Sequence, residues 1–151
     1  MCWGIILDIL NPTRIFCRQD KMANRKCGKC TECCNALFIT ELEKPKHTRC
    51  PHLRGDKPGC GIYKKRPSEC AAFQCVWTQR EVPNSQKPDQ VGMMAYYVDS
   101  QFGPTLLITE TRKNAFENNP DAKEKLIQLA EKKKIAAIIA TYSGDAVAMV
   151  P

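Results

Sequence analysis

Cys27-Gly28-Lys29-Cys30-Thr31-Glu32-Cys33-Cys34 packs four cysteines into eight residues, and Cys50, Cys60, Cys70 and Cys75 follow downstream. The pattern is C-x2-C-x2-C-C, then x15, C, x9, C, x9, C, x4, C. Two residues between cysteines let one tight turn aim both sulfurs at a common centre, as in zinc knuckles and iron-sulfur loops. From Cys27 to Cys75 the chain is dense in Cys, Pro, Gly and charge, with no sustained helical or strand period. Such a segment buries too little apolar surface to fold by itself, so cross-links must replace a core.

The chain has ten cysteines in 151 residues, too many for packing alone. Disulfides would need an oxidising compartment and metal ligation a reducing one. The apolar run from Cys2 to Leu10 has no preceding basic residue, contains Asp8, and meets Asn11-Pro12 instead of a cleavage site. It does not read as a signal peptide and is too short to span a bilayer. A cytoplasmic location without membrane attachment is the expectation, and with it metal as the use of the thiols. Cys2 and Cys17 lie outside the pattern and read as ordinary thiols.

The formal charge is +7. The stretch Lys21 to Arg66 holds 12 Lys and Arg against 4 Asp and Glu, so the surplus sits on the cysteine segment. Lys26, Lys29, Arg49 and Lys64 are expected there to favour thiolates over thiols. Few aromatic residues interleave with these cations. Nucleic-acid binding is therefore expected only as a weak, non-specific, salt-sensitive contact to phosphate. Metal ions are the expected partners.

Outside the cysteines, residues 1–26 read as an N-terminal extension. Either a short helix packs Trp3, Ile5, Ile6 and Ile9, or translation starts at Met22. Residues 27–80 form the metal-binding region and residues 81–151 a small α+β region packed on it. Within the latter, Pro83, Asn84, Ser85 and Pro88 mark residues 81–90 as a linker or long surface loop. Met94 to Val98 and Thr105 to Thr109 flank Gly103-Pro104 as a hairpin. Asn119-Pro120-Asp121 starts a helix, with Asn119 as its cap and Pro120 in the first position. Its apolar face carries Ala122, Leu126, Ile127, Leu129 and Ala130, and Lys132 to Lys134 suit its C-terminal dipole. Ile135 to Thr141 and Ala146 to Val150 read as two further strands. The fold class expected is α+β: a metal-stapled lobe with little regular structure, then a hairpin, a helix and two strands.

Eight ligands divide naturally into two four-sulfur centres. Side chains of adjacent residues diverge, so Cys33 and Cys34 are expected to serve different centres unless one is spare. The spacing alone leaves open one or two centres and any partition between them. His47 and His52 flank Cys50 and can replace a thiolate or support one, and Arg66 can donate to a thiolate with Tyr63 beside it. The triple C-x2-C-x2-C also matches the start of a bacterial ferredoxin loop, which keeps an iron-sulfur electron carrier as the alternative reading.

These residues resemble the YkgJ-type cysteine-cluster family, described as a zinc- or iron-chelating domain with a CxxCxxCC motif. The resemblance runs through Cys27 to Cys34, Cys50-Pro51-x-Leu53, Gly59-Cys60-x-Ile62-Tyr63, and Arg66-Pro67-x2-Cys70-x2-Phe73-x-Cys75, with Lys87-Pro88-Asp89-x-Val91-Gly92 as a common extension. Ala71, where many relatives carry Arg, and Thr31-Glu32, where they carry Gly, depart from it without touching a ligand. It implies chelation of zinc or iron, and no settled reaction. No catalytic constellation accompanies it. The radical pattern C-x3-C-x2-C fails at Leu37, and no glycine-rich cofactor loop follows a strand. An all-cysteine site is closed and structural, or carries electrons.

Overall fold

The computed structural model describes residues 25–151. The expectations for Cys2, Cys17, the Trp3–Ile9 helix and a start at Met22 lie outside the described residues. The fold is α+β, built on one four-stranded mixed sheet in the order β1-β2-β3-β4. Strands β1 (Met93–Ser100) and β2 (Gly103–Glu110) pair antiparallel, β2 and β3 (Ala136–Ala140) pair parallel, and β3 and β4 (Ala146–Met149) pair antiparallel. The parallel pair needs a crossover, supplied by α4 (Ala115–Asn118) and α5 (Pro120–Lys133).

The hairpin turn falls at Gln101-Phe102. Gly103 and Pro104 belong to β2, opposite Ser100 and Asp99. Pro104 sits at the second position of its strand, near the end, where a missing N–H is tolerated. Helix α5 starts at Pro120 as expected, and Ala122, Leu126 and Ala130 are buried along it. Asn119, however, makes no side-chain cap; its Nδ2 donates to the Val91 carbonyl at 3.1 Å. A tertiary acceptor has taken the side chain that would otherwise cap the helix.

Residues 81–90 are not a surface linker. Val82, Gln86 and Pro88 are buried, and Gln86 Nε2 donates to the Ala122 carbonyl at 3.0 Å. Trp77 Nε1 donates to the Asn84 carbonyl at 3.3 Å. The short helix α3 (Pro88–Val91) ends on Gly92 with φ 71°, where a Cβ would lie 3.1 Å from that of Ala115. Glycine is thus required both by the left-handed backbone and by close approach. The turn signals in this stretch mark a tightly folded connection in which Gln86 Nε2 finds a buried partner while Gln86 Oε1 and Asp89 Oδ1 are buried without one.

The two faces of the sheet have different covers. Tyr96 meets Phe73 edge-on, with ring centroids 5.1 Å apart. Its neighbour Tyr97 faces the end of α5, where Lys133 lies over its ring and pairs with Glu81 at 2.7 Å. Successive strand residues point to opposite faces. The cysteine segment therefore covers one face and α5 the other. One continuous core joins them: Ala36, Leu37, Ile39, Val76 and Trp77 pack in the same cluster as Met93, Leu106 and Ile108. The cysteine segment is docked on the sheet through this apolar surface.

Candidate metal centre

Helix α1 (Glu32–Ala36) carries Cys33 and Cys34, and α2 (Ser68–Ala72) carries Cys70; Cys60 lies in an isolated bridge to Leu53, and Cys27, Cys30, Cys50 and Cys75 lie in irregular backbone beside turns. Backbone bonds, with the Arg25 guanidinium, position them. Cys30 N donates to Cys27 O at 3.1 Å, closing the first turn. Arg25 N donates to Thr78 O at 3.1 Å, while Arg25 NH1 reaches the Trp77 and Val82 carbonyls, so Cys27 is carried to the strip that holds Cys75. Val76 N in turn donates to Ala95 O at 2.9 Å, fixing that strip to the edge of β1. Farther along, Arg54 N bonds Gly59 O, Gly61 N bonds His52 O, and Leu53 bridges Cys60, which brings Cys50 and Cys60 together across a tight loop.

Lys44 organises the rest. It is only 3% exposed, and its Nζ donates to three carbonyls: Asn35 at 3.3 Å, Pro45 at 2.9 Å and Thr48 at 2.9 Å. An ammonium has three N–H donors, so its orientation is fully determined. Asn35 follows Cys34, and Thr48 lies two residues before Cys50. The same turn receives α2: Thr40 N donates to Glu69 Oε2 at 2.8 Å, and Ser68 N to Glu41 Oε1 at 2.8 Å. Burial pulls the Lys44 pKa down, and the sulfurs of Cys50, Cys34, Cys70 and Cys33 oppose that shift.

None of the eight pattern cysteines forms a disulfide. The Cys33 thiol bonds the Cys34 sulfur, which drives the Cys33 pKa well up and holds Cys34 down to about 7. Lys44 and Arg66 also favour the Cys34 thiolate, against the cost of burying it. Burial pushes the Cys70 thiol up to about 11, with Cys34, Cys50 and Cys60 adding to the shift. Burial likewise pushes Cys30 up to about 11, although the N–H groups of Glu32 and Asp89 face its sulfur and favour the thiolate. Cys27 is raised by partial burial of its sulfur and then by Cys75.

Cys33, Cys34, Cys50 and Cys70 act on Lys44, Cys60 joins Cys34 and Cys50 in acting on Cys70, and Cys75 acts on exposed Cys27. Among the described residues, no group of three or more Cys, His, Asp or Glu side chains stands arranged as a finished metal site. The donor set nevertheless fits a soft or borderline cation. Thiols that raise one another's pKa resist sharing charge, and a divalent ion reverses that balance by taking the thiolates as ligands. Buried Lys44 would offset part of the negative charge of thiolates gathered on an ion beside it.

The four supporting residues separate into two kinds. Arg66 stacks on Tyr63, 4.0 Å from the ring centre, and its charge reaches Cys34 and Cys27. Tyr63 itself is 64% exposed. His47 is turned toward Tyr142, with ring centroids 4.1 Å apart, and its surroundings are Lys46, Lys44 and Glu110. His52 contributes its carbonyl to the 52–61 loop. Lys26, Lys29, Arg49 and Lys64 are exposed; Lys44 and Arg66 are the cations placed at the sulfurs.

Sequence reasoning missed Lys44, Asp89 and Arg112. Arg112 spans the two covers of the site, donating to buried Glu32 of α1 and to the Asp89 carbonyl at 2.8 and 2.7 Å. Only Asp89 carried a signal, as part of the Lys87-Pro88-Asp89 run.

No family model matches this chain, and no curated protein or solved structure matches it. The case for a metal centre therefore rests on these residues and their arrangement. No helix among the described residues is long and apolar enough to cross a membrane.

Proposed function

We propose that the protein binds zinc or iron through Cys27, Cys30, Cys33, Cys34, Cys50, Cys60, Cys70 and Cys75, as a structural or metal-handling module of the YkgJ type. The observation that carries the reading is that four of the eight free thiols, those of Cys33, Cys34, Cys50 and Cys70, act on a buried, fully hydrogen-bonded lysine. A protein stapled only by apolar packing has no use for a lysine held there, whereas a thiolate cluster gains from its charge. Arg66 adds a second cation, and the backbone N–H groups at Cys30 stabilise a thiolate in the way that supporting groups tune metal ligands.

Alkylation under native, reducing conditions tests the reading. With zinc bound, the eight pattern cysteines are expected to resist a thiol reagent while Cys2 and Cys17 react, as read by mass spectrometry of peptides. After chelation the eight should become reactive. Equal reactivity of the eight with and without metal would refute ligation.

A further inference from the structure

The chain between Cys50 and Cys60 closes into a ring. Leu53 N donates to Cys50 O at 3.1 Å, Arg54 N to Gly59 O at 3.1 Å and Gly61 N to His52 O at 2.7 Å. Gly59 makes the closure at φ 119°, a conformation that L side chains avoid, and a Cβ there would meet nothing within 4 Å. Its bare backbone therefore borders open space. Arg49 NH2 donates to Arg54 O at 3.1 Å, which ties that guanidinium to the ring.

The open space is a cavity of about 270 Å³, and its lining includes Arg49, Arg54, Lys57, Asp56 and, from the approach to α1, Thr31. Among the described residues no carboxylate pairs with Arg49, Arg54 or Lys57. Lys44 and Arg66 are the cations that act on Cys34, so these three are left to the cavity. Three cations and one carboxylate give the lining a formal surplus of +2. A concave wall of one sign concentrates the opposite charge.

The geometry points to a binding site for a small phosphate-bearing ligand, inorganic phosphate or a non-aromatic phosphate monoester, taken as the dianion. The dianion matches the surplus. A guanidinium presents paired N–H donors to two phosphate oxygens, and an ammonium adds a point charge. The cavity is smaller than the roughly 300 Å³ at which pockets for drug-sized ligands begin, so it suits a phosphate on a short stem. No aromatic side chain lines it to stack a base, and its cations converge on one ring instead of tracking a strand.

Inorganic phosphate and glycerol phosphate are the probes, added to the full chain as isolated, under reducing conditions at constant ionic strength, with chloride as the reference anion. Backbone amide and arginine Nε–H signals in 15N–1H spectra should shift saturably, with one equivalent bound, at Thr31 and residues 49–59, and chloride should shift none. Tighter binding of glycerol phosphate would mark a monoester as the ligand, and tighter binding of inorganic phosphate the free ion. Arg54→Gln and Lys57→Gln, both at exposed positions, should each weaken binding about tenfold, as loss of one charge-assisted hydrogen bond does. Asp56→Asn should strengthen binding, and Lys132→Gln on α5 should leave it unchanged. Metal content of the same samples shows whether the ring is intact; if the cation variants lose metal, the sign of the Asp56→Asn effect decides. Non-saturating shifts, equal losses from Lys57→Gln and Lys132→Gln, or weaker binding by Asp56→Asn would overturn the site. So would a single-stranded oligonucleotide that displaces phosphate and also shifts Lys26, Lys29 and Lys64.

Discussion

Removing metal with a strong chelator, in the presence of reductant, is expected to abolish amide protection across 44–70 and weaken it across 27–35 while β1, β2 and β3 remain protected. Metal ligation in small stapled units supplies on the order of 10 kcal/mol of folding free energy, and no regular element longer than five residues lies within either stretch. The strands hold their own apolar layer, with Leu106 and Ile108 fully buried and α5 covering one face. Ala36, Leu37 and Ile39 share that core, so α1 should lose protection less completely than the 50–60 loop. Hydrogen exchange read peptide by peptide checks this. Uniform loss across both regions would show that sheet and cysteine segment unfold as one unit.

The second large effect is expected at Lys44. Lys44→Met keeps the length and apolar stem of the side chain but leaves three carbonyls without their donor. At about 1 to 3 kcal/mol for each buried group left unpaired, partly recovered by water, a net loss of about 3 kcal/mol is expected. Metal affinity should fall as well, because the charge that offsets Cys34, Cys50 and Cys70 is gone. Lys44→Arg keeps the charge without the compact three-way geometry and should recover metal binding better than it recovers stability. Denaturation curves and competitive metal titration of the two variants separate these contributions. If Lys44→Met binds metal as tightly as the unsubstituted chain, the lysine has only a packing role.

Much of the sheet region was legible from local signals. Pro120 marked its helix because proline suits the first helical turn, and the branched and aromatic runs marked the strands. The pairing of β2 with β3 was not legible, since parallel partners 31 residues apart in register, such as Thr105 and Ala136, leave no local trace. The turn chemistry of residues 81–90 pointed to a loop because sequence shows turn formers but not the buried acceptors they meet. Asn119 misled for the same reason: its side chain serves Val91 in space instead of its own helix.

At the site, the cysteines announced themselves by spacing, which is a local property of turns. Lys44 did not. Its role depends on the carbonyls of Asn35, Pro45 and Thr48 converging, and nothing in the run Lys44-Pro45-Lys46 distinguishes it from its exposed neighbour Lys46. His47 and His52, flanking Cys50 in sequence, read as groups that support a thiolate or replace one. The backbone of His47, at φ 53°, turns its ring instead to Tyr142.

The central claim is that these eight cysteines are metal ligands, and its most direct test is the metal-to-protein ratio of the full chain purified under reducing, anaerobic conditions without metal supplementation. The account predicts two equivalents of zinc in colourless protein or of iron in brown protein, the latter with acid-labile sulfide if the iron-sulfur alternative holds. Protein that is folded and monodisperse with all ten thiols titratable, no metal, and no uptake on adding zinc or iron would contradict it.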